Sequence, residues 1–489
     1  MISTCTSCST YFGSLSLPYI IVKLMSNATA QNTPLQGWTN SPDGRGTIDI
    51  VSSCIFTNFI CVWSVLCINI GPPGESAIAQ FLQKLKLALI CILGPDFLLL
   101  LVIGQWESAR SSCRQFKEAG LDGWSMRHAF YADMGGFVVR TKDGVTWPLD
   151  ANQLHYLIVQ GLIKEPVLTA QIILKKSDID DRNKQNTLVR AFSAAQILWF
   201  LISCIARGVQ RLAVTTLELT TIGFITTTIC VCMFWFHKPA DVETRQTIEI
   251  EATVPDLHTK AGLDSAYTWY DTPLDFLGPE KTYFGVAWQF WMNLLSAIHI
   301  LPTKRFRPIR RRPDDAFLPV SRYGMIAIVA AGSFSWGANF VAWDFDFPTT
   351  LERQIWRASS TLLLIPLLIG LIYQEILLIF FPDMRKNACL RFASQRRMTD
   401  LSRASGEEEK FSSKFRGKTK RIVLWLSNNS PNADPSLTLQ LRVLIPALFF
   451  SALYALARAY LLLEDLLAFR GQNPDVYKTV NWVDFLPHV

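Results

Sequence analysis

Apolar runs long enough to cross a bilayer recur along the chain, separated by polar segments of very different length. A hydrocarbon core of about 30 Å takes about 20 residues of helix. Residues 48–70 meet that length and stop at Gly71-Pro72-Pro73, where a helix does not continue. Residues 86–106, "KLALICILGPDFLLLLVIGQW", meet it with Gly94-Pro95-Asp96 in their middle. Residues 212–236, 283–301, 323–343, 359–381 and 443–463 bring the predicted spans to seven. An eighth candidate, 191–206, lies between Arg190 and Arg207 and is short for a full crossing. The pattern predicts an all-α membrane bundle of seven to eight transmembrane helices with a mixed extramembrane loop domain.

The chain divides accordingly. A polar N-terminal segment (1–47) precedes the first two spans (48–106), and the loop domain occupies 107–190. Spans three to five follow with an acidic loop (191–301), then a basic loop with spans six and seven (302–381). A basic linker (382–442), disordered over 400–420, leads to the last span and C-terminal tail (443–489). Within the loop domain, "GFVVRTKDG" reads as a strand hairpin and "LHYLIVQGLI" carries apolar residues at helical spacing. "FGSLSLPYIIVKL" before "NATAQ" fits a signal peptide, cleaved or anchoring, except that no basic residue precedes its apolar part. A frayed polar terminus is the other reading.

Composition agrees with the pattern. Half the residues are hydrophobic and 18% are charged, with 15 Trp and 31 Phe, a balance that argues against several soluble domains. The net charge of +7 is modest and uneven, which disfavours nucleic acid as a partner. Basic residues crowd into 302–322, with "KRFRPIRRRP", and into 382–442, so both loops are expected on the cytoplasmic side. Counting back, 237–282 falls outside and the Arg207–Arg211 corner inside. If 191–206 crosses, 107–190 lies outside; if it is interfacial, 107–190 lies inside. That loop holds 12 basic and 10 acidic residues, so charge barely discriminates, and the reading adopted is a crossing with the N-terminus outside. Most of the 11 cysteines fall in apolar runs, where a thiol acts as a small hydrophobe, and no disulfide framework is implied. Cys5 and Cys8 have metal-ligand spacing without a second pair.

Ionisable residues inside hydrocarbon are costly and therefore candidates for function. Asp96, about ten residues into its span and after a proline that opens the helix, is the first candidate acid. Glu218, near the start of its span, is the second. It meets Arg207 or Gln196 if the chain turns near Gly208, and an ion pair of purely structural role is the alternative. Glu375 lies deep enough in "IYQEILL" to matter. Near the membrane boundary, "GWTNSPDGRGTID" and "MRHAFYADMGGFVV" offer Arg45, His128 and Asp133 as substrate-binding groups, or as solvated loop residues. Two spans separate these stretches, so if both cross, the stretches share one side. Arg45 is expected to pair with Asp43 or Asp49, and Asp49 to sit at a helix start. Asn27 is a glycosylation acceptor if it faces a lumen. "SDIDD", Asp178 to Asp181, reads as a solvated turn rather than a magnesium-holding motif. Nucleotide-binding, serine-hydrolase and zinc-protease motifs are not found, and neither a metal nor a cofactor is expected.

Four stretches, "GWTNSPDGRGTIDI", "HAFYADMGGF", "WDFDFPTTLERQIWR" and the C-terminal "ARAYLLLEDLLAFRGQNPDVYKTVNWVDFLPHV", together resemble a family of functionally uncharacterised multi-pass membrane proteins of filamentous fungi. The resemblance runs from about residue 37 to the end and implies architecture without an activity. From the residues, Thr349 or Thr350 caps a helix with Glu352 in its first turn, and the C-terminal tail packs back on the bundle. Three functions compete. One is a non-catalytic accessory, scaffolding or sensing component, for instance of a biosynthetic gene cluster. The second is a membrane enzyme that protonates an apolar substrate in the manner of a terpene cyclase, and the third is a transporter or channel. The expected partners are the lipid bilayer with an apolar small molecule or other membrane proteins, in a membrane of unassigned organelle.

Overall fold

The computed structural model describes residues 34–41, 44–163, 172, 187–278, 281–299, 306–380, 425–432, 434–438 and 441–485. It is mostly helical. Helix α1 (Thr47–Val65) begins where the Gly46 N–H donates to the Asp49 carboxylate at 2.9 Å, and it ends ahead of the Gly71-Pro72-Pro73 stop. Helices α2 (Ala77–Leu93) and α3 (Pro95–Glu118) follow, then the short α4 (Met126–Asp133), β1 (Phe137–Arg140), β2 (Thr146–Pro148) and α5 (Ala151–Val159). After α6 (Thr187–Val209) and α7 (Thr216–Phe234) come β3 (Gln246–Glu249), α8 (Val254–Lys260) and α9 (Tyr283–Ala297). Helices α10 (Arg322–Val341), α11 (Thr350–Phe380) and α12 (Leu441–Leu467) complete the bundle.

Helix α7 is the axis. It packs against α10 and α1 most extensively, and also against α3, α12 and α6. Its first three turns are buried nearly all round, while Ile229, Cys232 and Met233 towards its end are exposed. Its many threonines are accommodated because Thr221, Thr226, Thr227 and Thr228 each donate back to a carbonyl one turn earlier. Where α7 meets α10, Gly223 brings the backbones together, and the Ser335 hydroxyl donates to the Gly223 carbonyl at 3.0 Å.

Among the described residues, five helices are long and apolar enough to cross a membrane, Thr47–Val65, Ala191–Val209, Thr216–Phe234, Arg322–Asp344 and Leu444–Arg470, and a bent helix pair makes a sixth if taken as one broken span. The short candidate 191–206 is among them, because its helix continues through Arg207 to Val209. The predicted single span 86–106 is instead two helices, α2 and α3, bent by 116° at Gly94. Pro95 lacks an N–H and opens a new helix, so Asp96 lies in a first turn rather than at a mid-span kink. The predicted span 283–301 ends as a helix at Ala297, too short for a full crossing.

One end of the bundle carries a small mixed module. Strands β1 and β2 form the expected antiparallel hairpin, turned through Gly144 at φ 83°. Strand β3 then adds parallel to β1, with Phe137 opposite Gln246 and Arg140 opposite Glu249, giving the order β2-β1-β3. The basic loop lies at this same end: Arg312 pairs with Asp150, the Arg245 guanidinium donates to the Arg310 carbonyl, and the Ile309 N–H donates to the Asp271 carbonyl. The described parts of the two loops expected on opposite sides, 237–278 and 306–321, are therefore neighbours. The loop's charge is also engaged internally, because Arg311 pairs with Glu75 and Asp314, and Arg307 stacks over Trp269.

The other end gathers the two terminal segments. Gln36 and Gln472 form a bridge, the Tyr477 hydroxyl donates to the Gly37 carbonyl, and Trp482 stacks on Trp199. The tail packs back as its sequence predicts. Thr349 likewise caps α11, its Oγ1 accepting from the Glu352 N–H at 3.2 Å. The Arg207–Arg211 corner sits at this terminal end, across the bundle from the basic loop rather than on its side.

Candidate functional site

The α2–α3 pair enters the bundle and turns back. Its outer parts belong to the sheet end, where Lys84 and Lys86 pair with Asp241 and Asp315. There Lys238 donates to Gln105 at 2.9 Å and the Ser321 N–H donates to Glu107 at 2.6 Å. Its inner tip, Gly94-Pro95-Asp96, reaches α12. Asp96 is 8% exposed, and the Tyr454 hydroxyl donates to its carboxylate, 3.0 Å from each oxygen. Arg458, one turn further along α12, donates to the Ile92 carbonyl at 3.4 Å and lies between the Trp336 and Phe224 rings, 4.6 and 5.2 Å from their centroids. The faces of the two rings attract the buried guanidinium electrostatically. Phe97, next to Asp96, packs against Phe284, Trp288 and Tyr454. Asp96 therefore faces a hydroxyl and a cation on one flank and an aromatic cluster on the other.

Glu218 occupies a second buried site at the terminal end. It is the third residue of α7, where it accepts from the Thr215 N–H at 2.9 Å and the Thr215 hydroxyl at 3.0 Å. Arg45 completes its shell as an ion pair. Of the two partners expected for Arg45, Asp49 caps α1 instead, and Asp43 lies outside the described residues. Arg207 adds charge nearby but donates to the carbonyls of Ala213, Asp475, Val476 and Lys478, while Gln196 donates to Thr57. This arrangement locks the α6–α7 corner to both terminal segments.

His128 and Asp133 lie at the sheet end, on the far side of the bundle from Arg45. The shared side expected from two intervening crossings fails because α2–α3 returns to the end it left. His128 is buried against Trp124, with Nδ1 2.8 Å from the Ser125 hydroxyl. Asp133 accepts from the Ala151 N–H at 3.0 Å and the Ser108 hydroxyl at 3.1 Å. Burial, with the Asp150 carboxylate close by, pushes Asp133 up to about 6. Burial also pulls the neighbouring Lys238 down to about 8. His128 is buried and Asp133 half-buried, and the contacts of both lie within the module. Asn27, Asp43, Cys5, Cys8, Asp178 to Asp181 and residues 400–420 lie outside the described residues, as does the side chain of Glu375.

Sequence reasoning missed Tyr454 as a partner and Arg458 as a site residue of Asp96. Their signal was present: "LYALARAY" places a tyrosine and an arginine one turn apart inside an apolar run. A cleft of about 50 Å³ opens at the terminal end, lined by Thr216, Leu219, Asp344, Gln472 and Asn473 among others, with room for a few waters. Among the described residues, no group of His, Cys, Asp and Glu is placed to hold a metal ion.

No curated protein and no solved structure matches the chain. Residues 16–259, which include the α2–α3 pair, the three strands and α7, are similar to a family of unknown function, DUF8562.

Proposed function

We propose that the chain is a multi-pass integral membrane protein of transport type, in which Asp96 binds and releases protons. The observation that carries this reading is the bent α2–α3 pair, which places a carboxylate, a tyrosine and an arginine together inside the bundle at a break between two helices. Irregular backbone at membrane depth persists only where protein or a water-filled cavity surrounds it, and in transporters such breaks form the ion and substrate sites. A membrane setting is supported by the outer surface of the bundle. Ile55, Phe56, Phe59, Leu198, Trp199 and Phe449 are exposed on it, an apolar belt that water would disfavour.

In this reading α1, α6, α7, α10, α11 and α12 cross, and α2–α3 is re-entrant. Six crossings return both terminal segments to one side. With the "KRFRPIRRRP" loop cytoplasmic, the sheet end faces the cytoplasm and the termini face outward. The test is proton flux in liposomes carrying the purified chain and an internal pH dye. The wild type dissipates an imposed pH gradient faster than empty liposomes, and Asp96→Asn, inserted equally, slows it at least tenfold. A wild type indistinguishable from empty liposomes refutes the proposal.

The aromatic cluster around Phe97 favours a second reading, a membrane enzyme that protonates an apolar substrate, since ring faces stabilise developing cations. Product formed from a prenylated substrate by the wild type but not by Asp96→Asn, without proton flux, selects it.

A further inference from the structure

Two turns beyond Arg458 on α12, Asp465 is 1% exposed, and neither of its carboxylate oxygens has a hydrogen-bond partner. Facing it from α7 are the hydroxyls of Thr216 and Thr220, one turn apart. These too are buried, 3% and 4% exposed, and have no partner of their own. Elsewhere on α7 threonines donate to carbonyls one turn back, so Thr216 and Thr220 are exceptions among their neighbours. The two hydroxyls are the donors nearest the carboxylate, yet none of the four buried oxygens closes a hydrogen bond of ordinary geometry, an expensive arrangement for an empty site.

The surrounding charges define what fits. Arg458 stands about 10 Å away along the helix, held between Trp336 and Phe224, and makes no ion pair with Asp465. Glu464, the adjacent acid, is directed towards Tyr460, Glu352 and Arg470. One carboxylate and two hydroxyls give the site a single negative charge and hard oxygen ligands. That set suits a small monovalent cation; a calcium-type site gathers more carboxylates. Access exists, because Thr216 also lines the cleft that opens at the terminal end.

We propose that Asp465, Thr216 and Thr220 form a binding site for a small monovalent cation of the sodium class, between α7 and α12. The site does not depend on proton movement at Asp96. It belongs to different residues and is read out by binding rather than by flux.

The experiment is thermal unfolding of the full detergent-solubilised chain in sodium chloride against choline chloride at equal ionic strength. Sodium is expected to raise Tm saturably. Asp465→Asn abolishes the shift, and the Thr216→Val/Thr220→Val double variant, which keeps side-chain shape, weakens apparent affinity at least tenfold. Asp96→Asn retains the full shift. Should Asp465→Asn fail to fold, the double valine variant and sodium-23 line broadening on the wild type decide the matter. Equal Tm in sodium and choline overturns the proposal. So does a sodium shift that survives in the double variant, or a stronger response to magnesium or calcium than to sodium.

Discussion

Asp133 shows how a residue's neighbours decide its role. Its sequence setting, "YADMGG", suggested a polar group at a membrane boundary, and tertiary packing half-buries it against the start of α5, beside the Arg312–Asp150 pair. With its carboxyl pushed up to about 6 from an ordinary 3.8, the folded chain holds that proton more tightly than the unfolded chain. Its contribution to stability is fully present below about pH 4 and is lost as pH rises through about 6. A shift of about two units corresponds to about 3 kcal/mol. Asp133→Asn keeps an acceptor for the Ala151 N–H and a group for Ser108, so it should flatten that part of the profile. Unfolding measured from pH 4 to pH 8 in detergent checks this, and an unchanged slope in the variant contradicts it. Asp96 and Glu218 were legible as buried acids because charge in an apolar run is conspicuous. Their partners were not, since Tyr454 lies 358 positions from Asp96 and Arg45 lies 173 positions from Glu218.

At the scale of elements, glycine and proline account for the main departure from the linear pattern. The run 86–106 has the hydropathy of one span, yet Gly94-Pro95 divides it, because proline stops one helix and begins another more easily than it bends a continuous one. A side chain at Gly94 would also meet the Phe97 ring at 2.5 Å. On α7 and α10 a pair of glycines separates close packing from open surface. A Cβ at Gly223 would lie 2.9 Å from the Ser335 carbonyl oxygen, whereas one at Gly337 meets nothing within 4 Å. Gly223→Ala is expected to destabilise the chain by about 1–3 kcal/mol through overpacking. Gly337→Ala is expected to be neutral or to stabilise it by up to about 1 kcal/mol through helix propensity. Thermal unfolding of the two variants side by side tests this, and equal effects would contradict the α7–α10 contact.

At the scale of the molecule, the arrangement makes a statement about sides. Residues Lys142, Asp264 and Arg310 belong to one end of the bundle, and Asp346 and Asn481 to the other. Single cysteines at these positions, in a background lacking the native ones, should react with an impermeant maleimide as two groups from opposite faces of sealed vesicles. Labelling of 264 and 310 from opposite faces would contradict the shared end. The earlier expectation of opposite sides for these loops came from counting every apolar run as a crossing. Side-by-side contacts among Arg245, Arg310, Asp271 and Ile309 replace that count.

The sequence by itself determined the helical class, most of the apolar segments, the β1–β2 hairpin, the capping of α11 and the presence of buried acids. Each is local, written in hydropathy, turn residues and short spacings that act over a few positions. Tertiary structure alone decided that α2–α3 turns back, that β3 joins the hairpin from about 100 residues away, and that Arg45 and Asp133 lie at opposite ends. Those outcomes depend on which surfaces meet, and a run of apolar residues is equally satisfied by lipid or by another helix.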